Sequence, residues 1–424
     1  MTSFTKDSAL LYAVTGNDTA FLSDRVIQAI HGGASTIQLR LKKSDKKQIA
    51  TIAKELLPIC RKHNVPLIIN DHADILTETD ADGVHIGQGD GDIKEIRRII
   101  GPSKILGVST HSVAEAVEAQ KCGADYIGAG ALFQTSTKKD TTPLSLATLH
   151  TICAAVDIPV IAIGGINANN ISLLRGTGIS GVAVSGAIFN DAIENSVSNL
   201  HRLSQSITNS RFIEGAIFDM DGTLIDSMPK WSVVAQDFLI SMGKTPRDDL
   251  GEIIKPMSVR NAAKYFISDY GVNLSVDEIT DGINHQMQGY YLNEFELKKG
   301  TKEFLEFFSS LGIKMCIATA TDKRLATAAL KRNGILDFFG EIFTCGELNC
   351  SKREPTIFEA ALDFLGTKKE RTYVFEDSFF AIDVAKKAGF KVAAVYDEAA
   401  EEYSAQIENT ADIYSTLKEM RHAF

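Results

Sequence analysis

The 424-residue chain predicts two α/β domains in series: a (β/α)8 barrel, then a Rossmann-like parallel sheet carrying an inserted helical cap. Three observations predict it. Short apolar runs alternate with helical patterns between residues 10 and 188, and Gly, Asp and Asn clusters close nearly every run. At Ala216-Ile217-Phe218-Asp219-Met220-Asp221-Gly222-Thr223-Leu224 a fresh apolar run then delivers two carboxylates into a Gly-Thr turn. The length agrees, since single cores rarely grow past about 250–300 residues.

The first set of strands reads Leu10–Thr15, Thr36–Leu41, Pro66–Asn70, Gly83–Gly87, Ile105–Ser109, Tyr126–Ala131, Pro159–Gly164 and Gly181–Gly186. A doubly wound sheet absorbs the same alternation, but Gly-rich polar clusters at the strand ends favour the closed mouth of a small TIM barrel. A last helix over Ala192–Thr208 closes a first domain of residues 1–208, and Asn209-Ser210-Arg211 is a short polar linker. The second domain, 212–424, opens on a strand at Phe212–Asp219 and turns helical and amphipathic from Pro229 to Glu296. It then returns to strands at Met315–Thr319, Glu341–Thr344, Thr372–Phe375 and Val392–Val395, with helices over Arg324–Leu330 and Thr356–Phe364. That order gives a core of 212–226 and 297–424 and a cap of 227–296.

Hydrophobic residues make up 44% of the chain, ample for two cores, and a formal net charge of −10 argues against nucleic acid or an anionic membrane surface as a partner. No apolar run approaches the roughly eighteen residues of a membrane span and Met1–Asp7 is polar, so a cytoplasmic protein is expected. Cys60, Cys122, Cys153, Cys316, Cys345 and Cys350 form no CxxC pair, which favours reduced thiols. The expected partners are small phosphorylated molecules held by local basic groups, and a homo-oligomer stays open.

In the first half Gln38, Arg40 and Lys42 sit two apart, so a strand points all three into the barrel mouth while Leu39 and Leu41 face the helices. Asn70-Asp71, Gln88-Gly89-Asp90 and Ser109-Thr110-His111 end or follow adjacent strands. Asp71 and Asp90 thus reach one rim, as Mg2+ shared with substrate phosphates requires. Thr135-Ser136-Thr137-Lys138 adds hydroxyls and a cation after strand six, and Gly164-Gly165 and Ser185-Gly186 close strands seven and eight, where barrels commonly bind phosphate.

These segments, with Gly83-Val84-His85-Ile86-Gly87-Gln88-Gly89-Asp90 and Ile163-Gly164-Gly165-Ile166, resemble thiamine-phosphate synthase over about residues 10 to 205. That family joins hydroxymethylpyrimidine diphosphate to a thiazole phosphate and releases diphosphate. The resemblance implies that Gln38, Arg40, Lys42, Asn70, Ser109 and Lys138 hold the pyrimidine diphosphate, with Mg2+ on Asp71 and Asp90. It further implies that Thr135, Thr137, Gly165, Ser185 and Gly186 hold the thiazole phosphate. Leu41, Gly16 and Ala131 depart from the family's usual Glu, Asp and Pro; residue 41 should point outward, so repacking is expected. The related thiazole tautomerase lacks the diphosphate-binding set retained here.

In the second half, alternation is expected to place Asp219 and Asp221 on one side of a strand. Ile317-Ala318-Thr319-Ala320, Lys352-Arg353-Glu354-Pro355 and Val374-Phe375-Glu376-Asp377-Ser378 follow in order. The four segments resemble the haloacid dehalogenase-like phosphatases. The resemblance implies Asp219 as nucleophile, Asp221 as acid and base, Thr319 and Lys352 on the phosphoryl oxygens, and Mg2+ on Asp219, the Asp221 carbonyl and Asp377 with Glu376 in support. A bifunctional enzyme of thiamine biosynthesis is expected, with one Mg2+ site per domain, that makes thiamine monophosphate and hydrolyses a phosphate monoester, thiamine monophosphate itself, through an aspartyl-phosphate. For the second domain a fused sugar-phosphate phosphatase, a phosphomutase or a non-catalytic regulatory module stays open.

Overall fold

The structure, a computed structural model, describes residues 4–134, 143–189, 192–254, 257 and 259–424. The chain divides into two compact units, with the main break between Phe212 and Ile213.

In the first unit eight parallel strands close into a barrel: β1 (Leu11–Val14), β2 (Thr36–Leu39), β3 (Leu67–Asn70), β4 (Gly83–Ile86), β5 (Ile105–Thr110), β6 (Tyr126–Gly130), β7 (Val160–Ile163) and β8 (Gly181–Val184). Each pairs with the next, and β8 returns to β1 through Leu11 opposite Val182. Helices start where a side chain can take a free amide: Asp45, Asp92, Ser112 and Ser145 each accept from the backbone N–H three residues on. Outward-facing Leu39, Ile69, Val84, Ile127 and Val182 pack beneath those helices, and Leu41 joins them as expected. A smaller interior cluster holds Phe4, Tyr12, Ile68, Ile105, Tyr126 and Ile161, so the barrel is filled by side chains.

The second unit is a six-stranded parallel sheet in the order β11-β10-β9-β12-β13-β14, formed by β9 (Gly215–Phe218), β10 (Lys314–Thr319), β11 (Ile342–Thr344), β12 (Thr372–Glu376), β13 (Lys391–Val395) and β14 (Ile413–Ser415). The edge strand β14 is an addition to the strands read from sequence. Phe218 stacks on Phe375 at 4.4 Å, with Phe304 and Phe308 against the pair. This apolar floor lies directly under the end of β9. Between β9 and β10 four helices form the insert: Met228–Ser241, Leu250–Ile254, Val259–Tyr270 and Val276–Asn293. The last begins in a capping box in which Ser275 and Glu278 satisfy each other's amides.

No helix among the described residues is long and apolar enough to cross a membrane. All six cysteines are free thiols.

Candidate active sites

At the barrel mouth, alternation along β2 places buried Gln38 inside, and Arg40 follows with its amide bonded to Thr15 Oγ1 at 2.9 Å. Lys42 pairs with Asp71, joining a predicted diphosphate cation to a predicted Mg2+ ligand. Asp71 sits at φ 67°, in the left-handed region that Asp tolerates better than most side chains, and its N–H donates to His85 O at 2.8 Å. Asn70 ends β3, and Ser109 lies on β5 with its carbonyl taking Gln88 Nε2 at 2.6 Å. Asp90 closes the turn after β4 by accepting from Gly87 N at 2.7 Å. Gly165, at φ 66°, leaves room that a Cβ would lose to Gln134 O at 2.5 Å, and Asn167 and Asn170 both donate to its carbonyl. Ser185 and Gly186 follow β8, and nothing lies within 4 Å of where a Gly186 Cβ would be. Thr135, Thr137 and Lys138 lie outside the described residues.

The sequence reading missed Tyr12, His85 and Tyr126. These buried polar side chains form a hydrogen-bonded path inside the barrel that ends at Gln38 and Ser109. Their signal was faint: inward parity on three strands, in residue types that fill cores as often as sites.

In the second unit β9 stops at Phe218, so the pleat argument for Asp219 and Asp221 fails. Their carboxylates take different partners. Asp219 sits between Lys352 Nζ, which touches its Oδ1, and the backbone, where its N–H donates to Phe375 O at 2.9 Å. Lys352 also donates to Glu376 Oε1 at 2.6 Å, and Glu376 Oε2 accepts from Ser378 N at 2.8 Å. Asp377 Oδ1 accepts from Thr223 Oγ1 at 2.8 Å. Gly222, at φ 77°, lets its backbone pass so close that a Cβ would lie 2.3 Å from Asp377 Oδ2. Lys298 fixes that turn by donating to Gly222 O at 2.6 Å and pairing with Asp397 at 2.6 Å. Thr319 is buried at the end of β10 and accepts from Thr321 N at 3.1 Å.

Asp221 belongs to a different network. Its Oδ1 accepts from Ser227 Oγ at 2.7 Å and Tyr291 OH at 2.8 Å, and its Oδ2 accepts from Thr321 Oγ1 at 2.7 Å. None of these three hydroxyls was singled out from sequence.

Asp219, Glu376 and Asp377 offer ligand oxygens within 4.8 Å of one another, all buried. The Asp221 carboxylate is not in this cluster, in keeping with the resemblance, which implies its backbone carbonyl as the metal contact. Asp219 is pushed up to about 7, chiefly by burial, with Lys352 pulling down and Glu376 and Asp221 pushing up. Burial and then Glu376 and Asp219 hold Asp377 well above the usual carboxylate range. Burial opposes the charge on Lys352, yet Asp219 and Glu376 outweigh it and keep the ammonium protonated. Three carboxylates against one ammonium leave the pocket short of positive charge, so the donor set fits a divalent oxygen-seeking cation such as Mg2+.

The family model for thiamine monophosphate synthase matches residues 11–188, and that for haloacid dehalogenase-like hydrolase matches residues 216–395. Thiamine-phosphate synthase of Ruminiclostridium cellulolyticum is 51% identical over 181 residues, covering 42% of this chain and 86% of that protein. The solved thiamine phosphate pyrophosphorylase of Pyrococcus furiosus is 33% identical over 48% of this chain and 98% of its own, with a TM-score of 0.45. A β-phosphoglucomutase from Clostridium difficile is 19% identical over 49% of this chain and 93% of its own, with a TM-score of 0.40. Through its barrel the chain belongs to the thiamine-phosphate synthase family, and a haloacid dehalogenase-like hydrolase domain follows that barrel in the same polypeptide.

Proposed function

We propose that the barrel couples hydroxymethylpyrimidine diphosphate to a thiazole phosphate, giving thiamine monophosphate and diphosphate, and that the second domain hydrolyses thiamine monophosphate. The observation that carries the second half is the buried set Asp219, Lys352, Glu376 and Asp377 in a chain whose other domain belongs to a synthase family.

In the barrel, Arg40, Lys42, Lys138, Asn70 and Ser109 hold the diphosphate and Gln38 meets the pyrimidine. The leaving diphosphate needs charge stabilisation as the pyrimidine methylene becomes cation-like, and no general base is demanded. Asp71 and Asp90 would hold Mg2+ there, with Thr135, Thr137, Gly165, Ser185 and Gly186 on the thiazole phosphate. In the hydrolase domain Asp219, Asp377, the Asp221 carbonyl and Glu376 would hold a second Mg2+. Bound at either site, the ion supplies positive charge to phosphoryl oxygens. Asp219 attacks phosphorus, the bond to the alcohol oxygen breaks, and Asp221 gives that oxygen its proton. Asp221 then takes a proton from the water that cleaves the aspartyl-phosphate. Lys352 and Thr319 steady the phosphoryl oxygens throughout.

Incubation of the full chain with both synthase substrates and Mg2+ tests this reading. Free thiamine is the expected end product. Accumulation of thiamine monophosphate would leave the synthase half standing and remove the hydrolase substrate.

A further inference from the structure

Below the barrel mouth four hydrogen bonds thread five side chains from five strands into one path. Gln38 Nε2 donates to the Tyr12 hydroxyl at 3.0 Å, and the Tyr12 and Tyr126 hydroxyls lie 2.7 Å apart. The Tyr126 hydroxyl lies 3.0 Å from His85 Nδ1, and His85 Nε2 lies 2.9 Å from Ser109 Oγ. Gln38, Tyr12, Tyr126 and His85 are all buried. The space is cut for the path: a Cβ at Gly107 would lie 2.1 Å from Tyr126 Cζ and 2.6 Å from His85 Nδ1.

Counting hydrogens gives the path a direction. Burial pushes both phenols far up, so each keeps its single hydrogen. An amide nitrogen only donates, so Tyr12 accepts from Gln38 and spends its hydrogen on Tyr126. Tyr126 then spends its own on His85 Nδ1. The imidazole proton therefore sits on Nε2 and is donated to Ser109 Oγ, which leaves the serine hydrogen to point elsewhere. In the reverse direction Ser109 would give its hydrogen to His85, and the amide of Gln38 would have to turn its oxygen toward Tyr12.

We propose that Gln38, Tyr12, Tyr126, His85 and Ser109 form a polarised relay in which the amide orientation of Gln38 decides whether the Ser109 hydroxyl donates to an anionic phosphoryl oxygen at the barrel mouth. Tyr12, Tyr126 and His85 are positioning residues, acting through Ser109. A ligand group that donates to Gln38 Oε1 holds the amide in its present sense, so ring recognition at β2 and diphosphate anchoring at β5 become one event. The inference rests on the reading of Ser109 as a diphosphate contact.

The test uses the full chain with 15N-labelled histidine, whose ring shifts distinguish the two neutral tautomers, and His85 is assigned as the signal lost in His85→Gln. The Nε2–H tautomer is expected. The ionised carboxylate of Gln38→Glu can only accept, so at a pH where it is ionised it should reverse the path and switch His85 to Nδ1–H, and Tyr126→Phe should cut the path and abolish that switch. An Nδ1–H tautomer or an imidazolium in the unsubstituted protein, or an unchanged spectrum in Gln38→Glu, would overturn the relay. Synthase kinetics separate the two readings. Ser109→Ala should raise KM for the pyrimidine diphosphate on the order of tenfold, and its effect should be less than additive with Gln38→Glu. In the Tyr126→Phe background the two effects should become additive. An unchanged KM in Ser109→Ala would sink the diphosphate role of Ser109, whereas full additivity with Tyr126 intact would sink the relay alone.

Discussion

The hydroxyl of Tyr291 donates to Asp221 Oδ1 across 2.8 Å, so the last helix of the insert reaches the residue that serves as acid and base in the proposed hydrolysis. Tyr291 is buried, with Phe295 edge-on at 4.8 Å, which fixes its ring. Tyr291→Phe keeps that packing and deletes one of three hydroxyl donors to the carboxylate. One hydrogen bond is worth about 1 kcal/mol, so kcat for an aryl phosphate should fall by roughly three- to tenfold with KM little changed. An unaltered kcat would show that the contact does nothing for Asp221.

The acidic pocket makes a prediction about metal. Three buried carboxylates lie together with one ammonium, which pairs with Asp219 and Glu376 and, among the described residues, leaves Asp377 without a cation, and a divalent ion held by them relieves this. Asp377→Asn removes one charge while its side-chain oxygen can still accept from Thr223. The variant should melt higher than the unsubstituted chain in chelator, yet gain less on adding Mg2+. A site saturated a hundredfold over its Kd stabilises by about 2.7 kcal/mol, and most of that gain should vanish. Equal Mg2+-induced Tm shifts in the two proteins would contradict this ligand set.

At the barrel rim Lys42 and Asp71 neutralise each other, although the proposed reaction asks each to bind a different group. Lys42→Met should therefore weaken the pyrimidine diphosphate and strengthen Mg2+. A rise in KM for that substrate of about tenfold is expected, alongside a lower Mg2+ concentration for half-maximal rate. If both constants rise together, Lys42 does not compete with the ion for Asp71.

Much of this was legible in the chain. Eight barrel strands, the outward turn of Leu39 and Leu41 and the run of motifs from Asp219 to Asp377 follow from local periodicity and spacing. What escaped was long-range or short. Strand β14 is only Ile413–Ser415, half-buried at a sheet edge, too brief to show a period. Tyr291 and Thr321 lie 70 and 100 residues from the Asp221 they bond, so only the folded chain brings them together. The strand ends at Phe218 and the chain turns on through Gly222 at φ 77°, a stop that no pattern of alternation reveals.

A stability prediction concerns Asp412, which caps the β13 end of the sheet by accepting from Val392 N and Lys386 Nζ, both at 2.8 Å. Burial raises its pKa, but Lys386 and the Val392 amide outweigh that and hold it below the usual value. A carboxyl depressed in the fold lends stability that is complete above its unfolded pKa and lost as pH falls through the folded one. Asp412→Asn should thus lower Tm at neutral pH by an amount worth about 1–2 kcal/mol and converge on the unsubstituted protein in acid. A gap that widens as pH falls would reverse the sign and refute it.

The last prediction separates the two catalytic units and tests the hydrolase substrate. Asp219 is the only side chain proposed to bond to phosphorus, and it lies in a unit with its own core. Asp219→Asn in the full chain should abolish phosphatase turnover and leave the synthase rate within about twofold, because separately packed domains rarely share catalytic groups. Given both synthase substrates, that variant should stop at thiamine monophosphate where the unsubstituted chain proceeds to thiamine. The substrate assignment needs a ranking as well, since joining two domains raises local concentration only to about millimolar and does not dictate what the second accepts. With the synthase silenced by Arg40→Ala, kcat/KM for thiamine monophosphate is compared with phosphoglycolate, hexose phosphates and the pyrimidine and thiazole phosphates. Thiamine monophosphate should lead. Should another phosphate lead by more than about tenfold, the hydrolase would act on that compound and the shared chain would not join consecutive steps.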